Sequence, residues 1–418
     1  MELGRRDFCR TAGLGLLGTA AARSAPRFFG VHPFIESHPQ AVFVRRTRVA
    51  HKSDEAAKLR EGLMLAREIF VPRQTPGVPL THRVILKPNP TPVRSRSRPA
   101  IENWGAATDP QFYEGLILGL KELGLKSFSF AEANNQWGWN VRGFVDIHER
   151  HGVQMNEPDR RARNFRENSE MTWSRVADGV VFARIPHYAP VGEPDTWLLN
   201  IAKWKAHGMC MSLSAKNEQG LVVAPYVRFC GGWPTVTGVP DWMKPDFHPR
   251  AESRINQFFE RHRRMGYSRY DSRAELSPIR QEIWAQKTCD HMSVMRTGLA
   301  ILEGIYGRDG DGFGTGDDYL TNLVMFSLDK FRLDLIGMYL GGHEPGNVHL
   351  FRIAKERGLT DTFNPWEVPV YEWLNGRAVP RKLSDFPRTP LKTYYLPKDG
   401  EPYLHLVNEP FDYDKIKA

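Results

Sequence analysis

His82-Arg83-Val84-Ile85-Leu86-Lys87-Pro88-Asn89, followed by Thr108-Asp109-Pro110 and then by Lys126-Ser127-Phe128-Ser129-Phe130-Ala131, is the stretch on which the fold turns. The first run is short and almost continuously apolar and stops at Pro88, as a strand buried on both faces does. Thr108-Asp109-Pro110 offers a helix cap and a first-turn proline; Phe112, Leu116, Ile117, Leu120 and Leu123 then recur at helical spacing until Gly124. The alternation of Phe128 and Phe130 predicts a second strand. Strand, helix, strand in this order builds a parallel pair with a crossover helix.

Working outward, Val180-Val181-Phe182, Trp197-Leu198-Leu199, Leu299-Ala300-Ile301-Leu302 and Leu323-Val324-Met325-Phe326 read as further core strands, and Lys330–Leu340 and Asn347–Gly358 as helices. The alternation predicts an α/β fold, a mostly parallel sheet with helices on both faces, Rossmann-like. Residues 241–277 are charged and weakly periodic, with Phe258, Phe259 and His262 on a helix, and read as a helical or irregular insertion. It separates an N-terminal α/β part, 40–240, from a C-terminal part, 278–363, that belongs to the same sheet or to a second lobe; the proline-rich tail, 364–418, wraps the outside. With 418 residues, 41% of them hydrophobic, the chain can bury a large core.

Residues 1–25 carry a different message. Arg5-Arg6-Asp7-Phe8-Cys9-Arg10, a short small-residue apolar run and Ala20-Ala21-Ala22 have the layout of a signal peptide, and the paired arginines resemble the twin-arginine address. The expectation is a protein carried by the twin-arginine translocase to the periplasm or beyond, with no membrane anchor after cleavage. Cutting after Ala22 removes three arginines against two carboxylates, so the net charge of +9 becomes +8. The basic residues are spread along the chain and the expected location is outside the cytoplasm, so nucleic acid is not an expected partner; a small anionic molecule is. Of four cysteines, Cys9 leaves with the signal; Cys210, Cys230 and Cys289 remain, with one bridge, Cys210 to Cys230, open to them. No C-x-x-C occurs, so cysteine spacing encodes no iron-sulfur cluster.

Ligands of open parallel sheets bind beyond the strands' carboxyl ends. Those positions hold Lys87 and Asn89, then Glu132 and Asn134, then Lys203, Lys205 and His207, then Glu303 with Asp309 and Asp311, and Asp329. Lys203, Lys205 and His207 alternate, which puts them on one side of an extended segment. His207 and Lys205 are the candidate catalytic pair, and Lys87, Asn89, Lys203, Ser214, Lys216 and Asn217 the candidate anion-binding residues. Each has a plainer reading as a solvated strand-end lysine or an ordinary turn residue. Glu303, Asp309 and Asp311 are candidate ligands for a divalent metal; a helix-loop-helix calcium site is rejected, since Gly307 falls on its first ligand position. His148-Glu149-Arg150-His151 does not match H-E-x-x-H, and no nucleophile elbow, P-loop or G-x-G-x-x-G follows a strand. No particular cofactor is implied.

Val84-Ile85-Leu86-Lys87-Pro88-Asn89, Thr108-Asp109-Pro110, the Lys203-x-Lys205-x-His207 segment running into Ser214-x-Lys216-Asn217, and the blocks at Glu303-Gly304, Gly310-Asp311-Gly312 and 329–341 together resemble the family called domain of unknown function 362. The resemblance implies an α/β fold and hardly any particular activity. Many similar proteins carry iron-sulfur cysteine motifs, a pattern from which this sequence departs. The expected function is an exported enzyme acting on a small anionic substrate; the alternatives are a non-catalytic solute-binding or assembly protein, or a redox protein lacking its own cluster cysteines.

Overall fold

The computed structural model describes residues 26–91, 104–133, 136–155, 171–223, 226, 241–267, 278–393 and 410–416. The signal-peptide reading at 1–25, Asn134, Cys230 and the end of the insertion lie outside the described residues. A ten-stranded sheet organises the rest. In chain order its strands are β1 Val42–Arg46, β2 Arg83–Pro88, β3 Phe128–Phe130, β4 Gln154–Met155, β5 Thr196–His207, β6 Cys210–Ser212, β7 Leu299–Arg308, β8 Asp318–Ser327, β9 Val370–Leu374 and β10 Arg377–Arg381. Across the sheet they run β10-β9-β1-β8-β7-β5-β2-β3-β4, with β6 folded back antiparallel onto β5. The pairs β4/β3, β3/β2, β2/β5, β5/β7 and β9/β1 are parallel.

The helices used below are α1 Glu55–Ile69, α2 Pro110–Glu122, α3 Ser214–Asn217, α4 Ala251–Arg264, α5 Pro278–Met292, α6 Lys330–Leu340 and α7 His349–Glu356. Alternate residues of each strand face opposite layers. Leu199, Ile201, Leu299 and Ile301 pack with Leu65, Leu116 and Leu120 of α1 and α2. Ala202, Trp204, Ala300 and Leu302 pack instead with Trp284, Leu335 and Ile353 of α5, α6 and α7. Helices therefore cover both faces, and the fold is the expected α/β one. At the head of α2, the Asp109 carboxylate accepts from the N–H groups of Gln111 (3.0 Å) and Phe112 (3.1 Å), with Pro110 behind it.

Several expectations need correcting. Val180-Val181-Phe182 is no strand: its three N–H groups all donate to the Asp290 carboxylate, which leaves none for a ladder. The apolar run 323–326 does lie in the sheet, but β8 is antiparallel to both β7 and β1, so Asp329 emerges at the other edge and caps α6. Lys87, Lys203, Lys205, His207 and Glu303 lie within their strands and not past them, because β5 and β7 extend to His207 and Arg308. Part of the tail enters the sheet as the hairpin β9–β10 rather than wrapping it. Strand β1 and helix α1 were not expected at all. Residues 278–363 contribute β7 and β8 to the same sheet as β2. The described part of 241–277 is a short 3-10 turn followed by α4. Among the described residues, no helix is long and apolar enough to cross a membrane.

Candidate functional site

From β2 the chain crosses over to β3 and β4 on one side, whereas β5 and β7 lie on the other. The strand order reverses between β2 and β5, so the loops after them part and leave a crevice at their carboxyl ends. A cavity of about 90 Å³ occupies it. That holds on the order of half a dozen waters, enough for a small molecule rather than a lone ion.

The lining comes from every strand end around the crevice. Asn89 and Thr91 follow β2, Glu132 follows β3, and Lys205 comes from β5 itself. The hairpin turn at Cys210, whose φ is +78°, sends β6 back along β5 and brings Ser212, Lys216 and Asn217 to the opening. Lys287 and His291, one turn apart on α5, close another side. Phe182, Tyr226 and Phe313 add apolar wall. Gly312, at φ +72°, lets the 309–317 loop lie against β5, since a Cβ there would meet the Ala206 carbonyl oxygen at 1.9 Å. Asp311 holds that loop by accepting from the Phe313 N–H at 2.7 Å, which sets the Phe313 ring beside Lys205.

Of the candidate anion-binding residues, Lys87 stands just behind the cavity wall. Its Nζ donates to Glu132 (2.6 Å), the Pro88 carbonyl (2.7 Å) and Asn217 Oδ1 (3.2 Å), which uses all three ammonium hydrogens. Burial holds its pKa below the ordinary lysine value in spite of Glu132. Asn217 lines the cavity, yet its amide donates to the Lys87 carbonyl and to Asn200 Oδ1. Ser214 donates from its hydroxyl to Asp334, away from the cavity.

Lys203 is not in this site. Its Nζ lies 2.6 Å from Glu303 Oε2, which also accepts from the Asp109 N–H, while Asp109 binds Lys58 at 2.8 Å. This buried chain lies on the face that carries α1 and α2. His207 also misses the lining. Its Nδ1 accepts from the Met209 N–H at 3.0 Å, and its ring packs beside Trp284 and Phe313. Burial first, then the charges of Lys216 and Lys205, keep its pKa well below the usual histidine range. Glu303, Asp309 and Asp311 are not gathered: Asp309 accepts from the Asp317 N–H and Asp311 from Phe313 and Thr315. Among the described residues, no group of three or more His, Cys, Asp or Glu side chains is placed to hold a metal ion.

Lys205 is the unusual member. Its Nζ donates to the Ala106 carbonyl at 2.6 Å and to Thr91 Oγ1 at 3.3 Å, and stands 4.3 Å from the Phe313 ring centroid. It is fully buried and, among the described residues, makes no ion pair. Burial, then the cations of Lys216, Arg142, Arg308 and Lys203, hold its pKa well below the ordinary lysine range. The sequence reading missed Lys287, His291 and Phe313. The first two are separated by four residues, and that i,i+4 spacing on one helix face was a legible signal.

A family model described as Domain of unknown function (DUF362) matches residues 84–339, more than half of the chain. No curated protein and no solved structure matches the chain.

Proposed function

The chain belongs to the family described as Domain of unknown function (DUF362), and from that premise we propose that it is an enzyme that binds a small anionic molecule in the switch-point cavity. One observation carries the reading. Among the described residues, the lining holds Lys216 and Lys287, beside the buried Lys205, against one carboxylate, Glu132, which Lys87 engages from behind. Like charges brought together in a low-dielectric pocket repel, and a bound anion relieves that repulsion. Lys216 and Lys287 supply the charge, and Lys205, whose pKa burial and the neighbouring cations lower, is the reacting group.

Isothermal titration with lactate and with inorganic phosphate tests this. Binding that weakens about tenfold, ~1.4 kcal/mol, in each of Lys216→Met and Lys287→Met is expected, as is weakening with added salt. An unchanged affinity in both variants, or no binding of either anion, overturns it.

We also propose export by the twin-arginine translocase to the periplasm, supported by Arg5-Arg6 and the apolar run that follows. Replacing both arginines by lysine is expected to abolish the periplasmic fraction, with a mature N-terminus near Arg23 in the wild type. Undiminished periplasmic protein in the variant defeats the proposal.

A further inference from the structure

We propose that Lys205 forms a reversible imine with the carbonyl group of a small 2-oxo acid, with Lys216 and Lys287 holding the neighbouring carboxylate. This rests on the reading that the cavity takes a small anion, and adds to it the substrate class and the bond made.

The geometry supplies the requirements of an amine nucleophile. Lys205 is one of the residues around the cavity, and the two hydrogen-bond partners of its Nζ, the Ala106 carbonyl and Thr91 hydroxyl, are uncharged. A neutral amine has two hydrogens and one lone pair, so both hydrogens are used and the lone pair remains. A structural lysine buried this deeply is ordinarily matched with a carboxylate, as Lys58, Lys87 and Lys203 are in this same molecule. Lys205 instead is buried among further cations, an arrangement that lowers its pKa, while the Phe313 ring lies 4.3 Å from its Nζ. Lys216 and Lys287 come from α3 and α5 and approach the cavity from elements other than β5. A carboxylate held by them brings an adjacent carbonyl carbon to a third, chemically different lysine.

The step balances without any oxidant. The amine lone pair attacks the carbonyl carbon, the C–N bond forms, and the C=O π pair moves to oxygen. One proton passes from nitrogen to that oxygen and a second is taken from solvent. The C–O bond then breaks, water leaves, and a C=N iminium carrying one positive charge remains on Lys205. The adjacent substrate carboxylate offsets that charge.

Pyruvate, the smallest 2-oxo acid, is the probe. The full exported chain is incubated with pyruvate and sodium borohydride, and modified lysines are mapped by peptide mass spectrometry, with lactate as the carbonyl-free control. The expected result is a reduced adduct on Lys205 at least tenfold above that on exposed Lys244, absent with lactate alone and suppressed when lactate is added as a competitor. Lys205→Met is expected to lose the adduct while still binding lactate; if that variant does not fold, the site mapping and competition in the wild type decide the matter. Lactate binding by calorimetry with no enrichment at Lys205 overturns the imine and leaves the anion site standing. Adducts spread evenly over exposed lysines overturn it equally. Absence of both lactate binding and adduct overturns the anion site as well.

Discussion

Lys87 and Lys203 reach buried carboxylates on opposite faces of the sheet, Lys87 Nζ standing 2.6 Å from Glu132 on one and Lys203 Nζ 2.6 Å from Glu303 on the other. Strand register accounts for it. Lys87 lies beside Asn200 in the parallel ladder and shares its face, and Lys203 lies three residues further along β5, hence on the other. Among the described residues, Lys205 is left as the buried lysine of β5 with no such partner.

Glu303→Gln removes the charge that compensates Lys203 and weakens the acceptor for the Asp109 N–H. Breaking a buried pair from one side leaves an uncompensated charge, so a loss of about 3–5 kcal/mol is expected in urea denaturation. The double change Lys203→Met with Glu303→Leu is expected to recover most of that loss. A single variant within ~0.5 kcal/mol of wild type would show that the pair is not buried as described.

Gly220 lies against the Glu132 carboxylate, where an added Cβ would come within 2.6 Å of both oxygens. Gly220→Ala is therefore expected to push Glu132 off Lys87 and into the cavity, where it competes with the anion. Lactate affinity should fall by more than the accompanying loss of stability explains. A variant that binds as the wild type does would mean that Glu132 has room to move without cost.

The decisive elements of the fold were legible where local chemistry and tertiary role agree. Asp109-Pro110 carries a helix-start signal of its own, and the short continuous apolar runs of β2 and β7 suit strands buried on both faces. Strand direction was not legible, because an apolar run such as 323–326 reads the same in either sense; β8 pairs antiparallel with β7 after the loop 309–317. The alternation of Lys203 and Lys205 was equally readable, but not that a carboxylate waits for the first and, among the described residues, none for the second. That difference is set by α2 and β7, far away in sequence. Val180–Phe182 failed for the same reason, its backbone being claimed by a side chain 108 to 110 residues away.

His187 is buried with its Nε2 atom 3.0 Å from that of His291, and burial lowers its pKa from 6.5 to about 4. The unfolded chain therefore binds more protons than the native one across this range. Stability from this group is complete above 6.5 and drains away as pH falls toward about 4, by a total of about 3 kcal/mol. His291 is shifted in the same direction and adds to the slope. Denaturation midpoints measured from pH 7.5 down to about 4.5 are expected to decline, and His187→Gln to decline less steeply. Equal slopes in the two proteins would contradict the assignment.

Asp290 connects α5 to the cavity wall. Its Oδ1 accepts from the Val180 N–H (2.9 Å) and Arg357 Nη2 (2.7 Å), and its Oδ2 from the N–H groups of Val181 (2.7 Å) and Phe182 (2.8 Å). Asp290→Asn keeps the shape but turns one acceptor into an NH₂ that faces donors. Leaving buried donors without acceptors is expected to cost about 3 kcal/mol. Because Phe182 lines the cavity, lactate affinity should drop several-fold as well. Arg357→Gln separates the two effects, since it removes a donor from the carboxylate and leaves all three N–H groups satisfied. That variant should lose less stability and bind lactate as the wild type does. If Asp290→Asn is destabilised yet binds lactate normally, the Val180–Phe182 loop does not shape the cavity, and the wall must be held by Tyr226 and Phe313 instead.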